Sequence, residues 1–186
     1  MKHQDRTLRI IGGNWRGRKI TFPEHNGIRP TGDRVRETLF NWLMHDIRGA
    51  DCLDLFAGSG VLSIEALSRG ANHVTLIESN EVASSGISQN LALLDADPNR
   101  FDNIKSNAMT WLGQCDTGFD LIFIDPPFAS NMLPAVLEHL AARQIARKFV
   151  YLETPVMLET RDLPNQWNLY RQKYTGSVHY SLCITS

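Results

Sequence analysis

The stretch Cys52-Leu53-Asp54-Leu55-Phe56-Ala57-Gly58-Ser59-Gly60-Val61-Leu62 decides the fold. Its apolar start reads as a short buried strand over 52–56. Gly58 and Gly60 then give a tight turn, and Leu62, Ala66 and Leu67 stripe the helix that follows. The same grammar repeats downstream. Strands are predicted at 73–77, 103–105, 121–124 and 149–152. Helices between them carry Ala83, Ile87, Leu91 and Leu94, then Leu133, Val136, Leu137 and Leu140. Repeated strand–helix units predict a doubly wound α/β fold, with a mostly parallel sheet and helices on both faces. The tail, 167–174 and 177–185 around Thr175-Gly176, predicts an antiparallel hairpin on one edge.

Upstream, Leu8–Ile11 and Arg18–Phe22 flank Gly12-Gly13-Asn14-Trp15-Arg16-Gly17, which predicts a short β-hairpin. Pro23, Gly27 and Pro30 punctuate a connector. A helix with Val35, Leu39, Phe40, Leu43, Met44 and Ile47 on one face begins near Thr31, with Thr31 or Asp33 as its cap. The division is therefore an N-terminal basic hairpin over 1–30 and an α/β domain over 31–186.

At 186 residues, with 42% hydrophobic and 21% charged, the chain has a globular composition and the length of one domain. Cys52, Cys115 and Cys183 are odd in number and widely spaced, against a disulfide framework or a zinc knuckle. No metal site is expected, and the thiols fit a reducing compartment. The polar N-terminus and the lack of a long apolar run argue against export or a membrane span. Net charge is −1, yet residues 1–40 carry nine Lys/Arg against four Asp/Glu, so the remainder is acidic. A basic arm on an acidic body points to a polyanion, although a solvated face has the same composition.

Chemistry concentrates at predicted strand ends. The glycines let a ligand approach the backbone closely. A dinucleotide pattern wants a third glycine three residues after Gly60, where Ser63 stands. Asp54 disfavours a pyrophosphate and suits a cationic ligand, such as the ammonium and sulfonium of S-adenosylmethionine. Glu78, eighteen residues after Gly60, stands where such folds present a carboxylate to ribose hydroxyls. Asn107-Ala108 stands where a base edge would be read. Asp125-Pro126-Pro127-Phe128 follows an apolar strand. Its prolines remove N–H donors and leave rigid acceptors. Asp125 and the Pro126 carbonyl can hold the two N–H groups of a planar amine, while Phe128 offers a stacking face.

DLFAGSG at 54–60 with DPPF at 125–128 resembles S-adenosylmethionine-dependent methyltransferases of nucleobase amines. Arg9–Gly13, Trp15–Ile20, Arg29-Pro30-Thr31, Arg34–Leu43, Glu65–Ala71 and Ser106–Ala108 resemble the bacterial RsmD family over nearly the whole chain. That resemblance implies a Rossmann-like, seven-stranded methyltransferase fold and methylation of N2 of guanine 966 in 16S ribosomal RNA. S-adenosylmethionine would be the cofactor and S-adenosylhomocysteine its product. The resemblance places Asp125, Pro126 and Phe128 in catalysis. Asp54, Ala57, Gly58, Gly60, Glu78, Ser79, Asn107 and Ala108 would hold the cofactor. Arg16, Arg18, Lys19, Arg29, Thr31 and Pro127 would contact RNA, with Arg34 and Arg36 next in line. A cytoplasmic monomer acting on a small-subunit ribosomal particle is implied. Asn107 departs from the wider pattern, which commonly has an acid there. The competing readings are a DNA adenine-N6 or cytosine-N4 methyltransferase, a nicotinamide-dependent oxidoreductase and a non-catalytic RNA-binding module.

Overall fold

A computed structural model describes residues 5–23, 31–127 and 131–185. Strands β3 (Asp51–Asp54), β4 (His73–Glu78), β5 (Phe101–Lys105), β6 (Phe119–Ile124), β7 (Ala146–Thr154), β8 (Trp167–Thr175) and β9 (Val178–Thr185) form one sheet. Their order is β5-β4-β3-β6-β7-β9-β8. Among the described strands of this sheet, β9 pairs antiparallel with both β7 and β8, so the tail is the expected antiparallel hairpin. The helices are α1 (Asp33–Trp42), α2 (Val61–Ser68), α3 (Glu81–Leu93), α4 (Ala108–Leu112) and α5 (Leu133–Ala142).

Alternation along the strands explains the two layers of helices. In β6, Leu121 and Phe123 join a core with α1, α2 and α3, while Ile122 and Ile124 join one with α4 and α5. With both faces covered, these strands read as continuous apolar runs. The chain winds outward from β3 to β5, then returns to place β6 on the other side of β3. This reversal opens a crevice at the carboxyl ends of β3 and β6, where ligands of open α/β sheets bind.

The N-terminal ribbon pairs β1 (Asp5–Arg9) with β2 (Lys19–Pro23), Leu8 opposite Ile20. Ile10 and Ile20 are buried in the α1–α3 core, so the ribbon is packed onto the body. Its glycine turn is moulded to α2. A Cβ on Gly13 would lie 1.9 Å from the Ser68 carbonyl oxygen, and the Asn14 N–H donates to that oxygen at 2.7 Å. A buried ion network locks the joint. Glu65 accepts from the Ile11 and Gly12 N–H groups and pairs with Arg36 and Arg69. Arg36 also donates to the Arg9 and Thr31 carbonyls and to Asp33.

Two local expectations need correction. Neither Thr31 nor Asp33 caps α1: Gly32 is the N-cap, because the Thr31 hydroxyl donates to Glu153 and Asp33 is engaged by Arg36. Met44, placed on the apolar face by periodicity, is exposed because α1 ends at Trp42.

Candidate active site

Four adjacent strands end in an acid. Glu78 closes β4 and Asp54 closes β3, Asp125 follows β6, and Glu153 lies one residue from the end of β7. All four line a cleft of about 760 Å³ at the carboxyl edge of the sheet. That size falls within the range of small-molecule sites.

One half of the cleft is built by the glycine turn. Gly58 and Gly60 have φ of +52° and +73°, which L side chains rarely adopt. Gly60 is also the N-cap of α2, and a Cβ there would meet Ile87 at 2.9 Å. The Gly58 N–H donates to Glu78 Oε2 at 2.8 Å, and the Asn80 N–H donates to Oε1 at 2.6 Å. The carboxylate therefore braces the loop while each oxygen keeps acceptor capacity. Asp54 is 3% exposed and accepts from Ser63 Oγ at 2.7 Å. The residue that breaks the dinucleotide pattern thus serves the acid. Burial pushes the Asp54 carboxyl up to about 7, a rise that Ser63 opposes and Glu78 reinforces. A buried acid in this state favours a cation beside it. Ala57, Ser79 and Ala108 also line the cleft. Asn107 does so too while capping α4, its Oδ1 accepting from the Met109 and Thr110 N–H groups. Asn is favoured at an N-cap for that geometry, which leaves the Nδ2 donors for another partner.

The other half is built by Asp125, Pro126, Pro127, Glu153 and Thr31. Pro126 is buried and Pro127 exposed. The Asp125 carboxyl is held well above the usual range by burial, then by Glu153 and Asp54. Glu153 is raised by burial as well, against the hydrogen bonds it receives from Thr31 Oγ1 at 2.7 Å and the Tyr151 hydroxyl at 2.9 Å. Sequence reasoning missed Glu153. A lone acid after an apolar run has no spacing signature, and only strand pairing brings it beside Asp125. Among the described residues, no group of three or more acids, histidines or cysteines is placed to hold a metal ion.

The predicted basic contacts divide. Arg16 and Lys19 are exposed on the ribbon, and Trp15 between them and the core is half-buried. Arg18, though exposed, donates to the Leu93 and Leu94 carbonyls at the end of α3, so its guanidinium ties ribbon to body. None of these three lines the cleft. Arg34 is exposed, but Arg36 is fully buried in its ion network, which removes it as an RNA contact. Phe128 and Arg29 lie outside the described residues.

The family model described as conserved hypothetical protein 95 matches residues 8–184. The chain is 46% identical over 177 residues to ribosomal RNA small subunit methyltransferase D of Escherichia coli, covering 94% of this chain and 88% of that protein. Identity to the Haemophilus influenzae protein of the same name is 39% over 183 residues, covering 94% and 92%. Among solved structures, Escherichia coli yhhF superimposes with a TM-score of 0.87 at 42% identity, covering 96% of this chain and 98% of that one.

Proposed function

The chain belongs to the conserved hypothetical protein 95 family, and from that premise we propose that it methylates the N2 amine of guanine 966 in 16S ribosomal RNA, using S-adenosylmethionine. One observation carries this reading: the turn Asp125-Pro126-Pro127, whose prolines present carbonyls without N–H donors, opens onto the same cleft as the acid-and-glycine turn 54–60. The two halves supply what a methyl donor and an amine acceptor each require.

The residues present fit the cofactor. Among the described residues none sets a positive charge against the buried Asp54, burial raises its carboxyl, and an ammonium or sulfonium would favour its ionised form. Glu78, braced by two backbone N–H groups, offers its remaining lone pairs to ribose hydroxyls. The Asn107 Nδ2 and the backbone at Ala108 serve the adenine edge. When bound, S-adenosylmethionine supplies an electrophilic methyl group and is left as S-adenosylhomocysteine.

Asp125 and the Pro126 carbonyl accept the two N–H bonds of the amine, which aims its lone pair across the cleft. As the new N–C bond forms, positive charge grows on nitrogen, and the Asp125 carboxylate stabilises it. The surplus proton leaves through Asp125 to water. Orientation supplies most of the rate, up to about 7–11 kcal/mol for well-aligned groups. Thr31 and Pro127 border the target base, while Arg16 and Lys19 attract phosphates at a distance. The setting is a cytoplasmic small-subunit ribosomal particle, with the enzyme as a monomer.

The test is methyl transfer from labelled S-adenosylmethionine to naked 16S RNA, an assembly intermediate and the mature subunit, with the product nucleoside identified by mass. N2-methylguanosine is expected from at least one substrate. Methyladenine or methylcytosine instead would replace this reading with an amine methyltransferase of other specificity. Asp125→Ala should lower turnover at least about 10²-fold with little change in cofactor affinity. Near-wild-type turnover would remove Asp125 from the chemistry.

A further inference from the structure

We infer that Glu153 selects guanine, accepting the N1–H of the target base beside the amine that Asp125 holds; this rests on the guanine-N2 reading above. Strands β6 and β7 pair in parallel with Ile124 opposite Leu152. The next residues, Asp125 just past β6 and Glu153 still within β7, therefore lie side by side, about 5 Å apart at the backbone. Both line the cleft.

The hydrogen bonds around Glu153 are one-sided. Thr31, just ahead of α1, and Tyr151, two residues away on β7, both donate to Oε1. Among the described residues, none donates to Oε2. A glutamate that only held α1 against β7 would be better satisfied with one hydroxyl on each oxygen. Here two hydroxyls fix the plane of the carboxylate and leave its second oxygen as an acceptor. With 5% of the residue exposed, that oxygen gains much from a donor, because water satisfies it poorly.

Guanine alone among the amine-bearing bases sets a ring N–H beside its exocyclic amine. Adenine and cytosine present a ring nitrogen lone pair there, which would face the carboxylate oxygen and repel it. The Asp-Pro-Pro turn serves any of the three amines, so it cannot choose between them. Two carboxylates at adjacent strand ends match two adjacent N–H donors and mismatch a donor next to an acceptor. Receiving both donors also favours the ionised forms of two carboxyls that burial raises, Asp125 with Glu153 as a further cause.

RNA carrying 2-aminopurine at the target position tests the assignment, since that base keeps the 2-amino group but has an acceptor at N1. The wild-type protein should methylate guanine at least about tenfold faster, the lower end for one hydrogen bond to a charged group. Equal rates on the two bases would overturn the proposal without any variant. In Glu153→Gln the amide can donate to N1, so guanine turnover should fall while the 2-aminopurine rate holds or rises. The preference should then shrink at least about tenfold, with S-adenosylmethionine affinity by calorimetry unchanged. A proportional loss on both bases, or a loss of cofactor affinity, would make Glu153 a structural residue and overturn the proposal. Absence of N2-methylguanosine from wild-type reactions would instead sink the parent reading, and this one with it.

Discussion

Asp54 links cofactor binding to proton release. Its carboxyl sits at about 7 in the free protein because burial outweighs the hydrogen bond from Ser63. At pH 6 it is therefore about nine-tenths protonated, and at pH 8 about one-tenth. A cationic ligand binds the carboxylate form, so its arrival returns the group towards the usual range near 4 and expels the proton. Binding at pH 6 should release about 0.9 proton through this group, against about 0.1 at pH 8, and affinity should rise about tenfold per pH unit up to 7. The stability of the free protein runs the other way. A carboxyl raised on folding stabilises most below its unfolded pKa near 4, and that contribution is lost as pH climbs to 7. Slightly over three pH units at about 1.4 kcal/mol each amount to about 4 kcal/mol. Calorimetric titration with S-adenosylmethionine in two buffers of different ionisation enthalpy reads the proton count. The same titration on Asp54→Asn subtracts what Asp125 and Glu153 contribute. Zero release by the wild type at pH 6, or equal release by the variant, would refute the assignment of Asp54 to the cation.

Glu78→Ala should weaken S-adenosylmethionine binding by roughly 1.5–3 kcal/mol, the range for hydrogen bonds to a charged group; an unchanged calorimetric affinity would leave Glu78 only its loop-bracing bonds. Arg36→Met strips a buried partner from Glu65 and should cost about 3–5 kcal/mol in urea denaturation. That corresponds to a fall of roughly 6–20 °C in Tm for a domain this size, and a change under about 1 kcal/mol would show that Arg69 alone satisfies Glu65. Arg16→Ala with Lys19→Ala, leaving Arg18 on its α3 carbonyls, should flatten the log K against log salt slope for RNA by roughly 1.4 units. Parallel filter-binding lines would return the ribbon to a solvated face.

The sequence carried the parts whose signals are local. Gly58 and Gly60 marked the turn because their positive φ leaves few alternatives, and Asp125-Pro126-Pro127 marked a strand end because prolines cannot continue it. Asp54 and Glu78 were legible by their distance from those glycines. Glu153 was not, since its meaning lies in the register between β6 and β7, over twenty-five residues apart in the chain. One faint sign was available: apolar strands lead into Asp54, Glu78, Asp125 and Glu153, but β5 interrupts the series in the chain with Lys105, and Glu153 was passed over. Charge counting misplaced Arg36, because composition cannot separate a cation facing solvent from one neutralised by Glu65, 29 residues further along the chain. For Arg18, proximity in sequence to Arg16 and Lys19 concealed a reach across to Leu93 and Leu94.

The long-range bonds of the N-terminal segment set an order of assembly during synthesis. The Ile11 N–H waits 54 residues for its acceptor in Glu65, and the Thr31 hydroxyl waits 122 for Glu153. Closing such loops costs little more than closing shorter ones, so the delay barely taxes the finished protein. It does fix a sequence of events. A nascent chain reaching only β4 already contains Asp54, the glycine turn and Glu78, yet its ribbon has just acquired a dock and Thr31 has none. The half of the cleft assigned to the cofactor is complete only when Asn107 and Ala108 follow β5, and the half assigned to the target base closes later still, when β7 arrives.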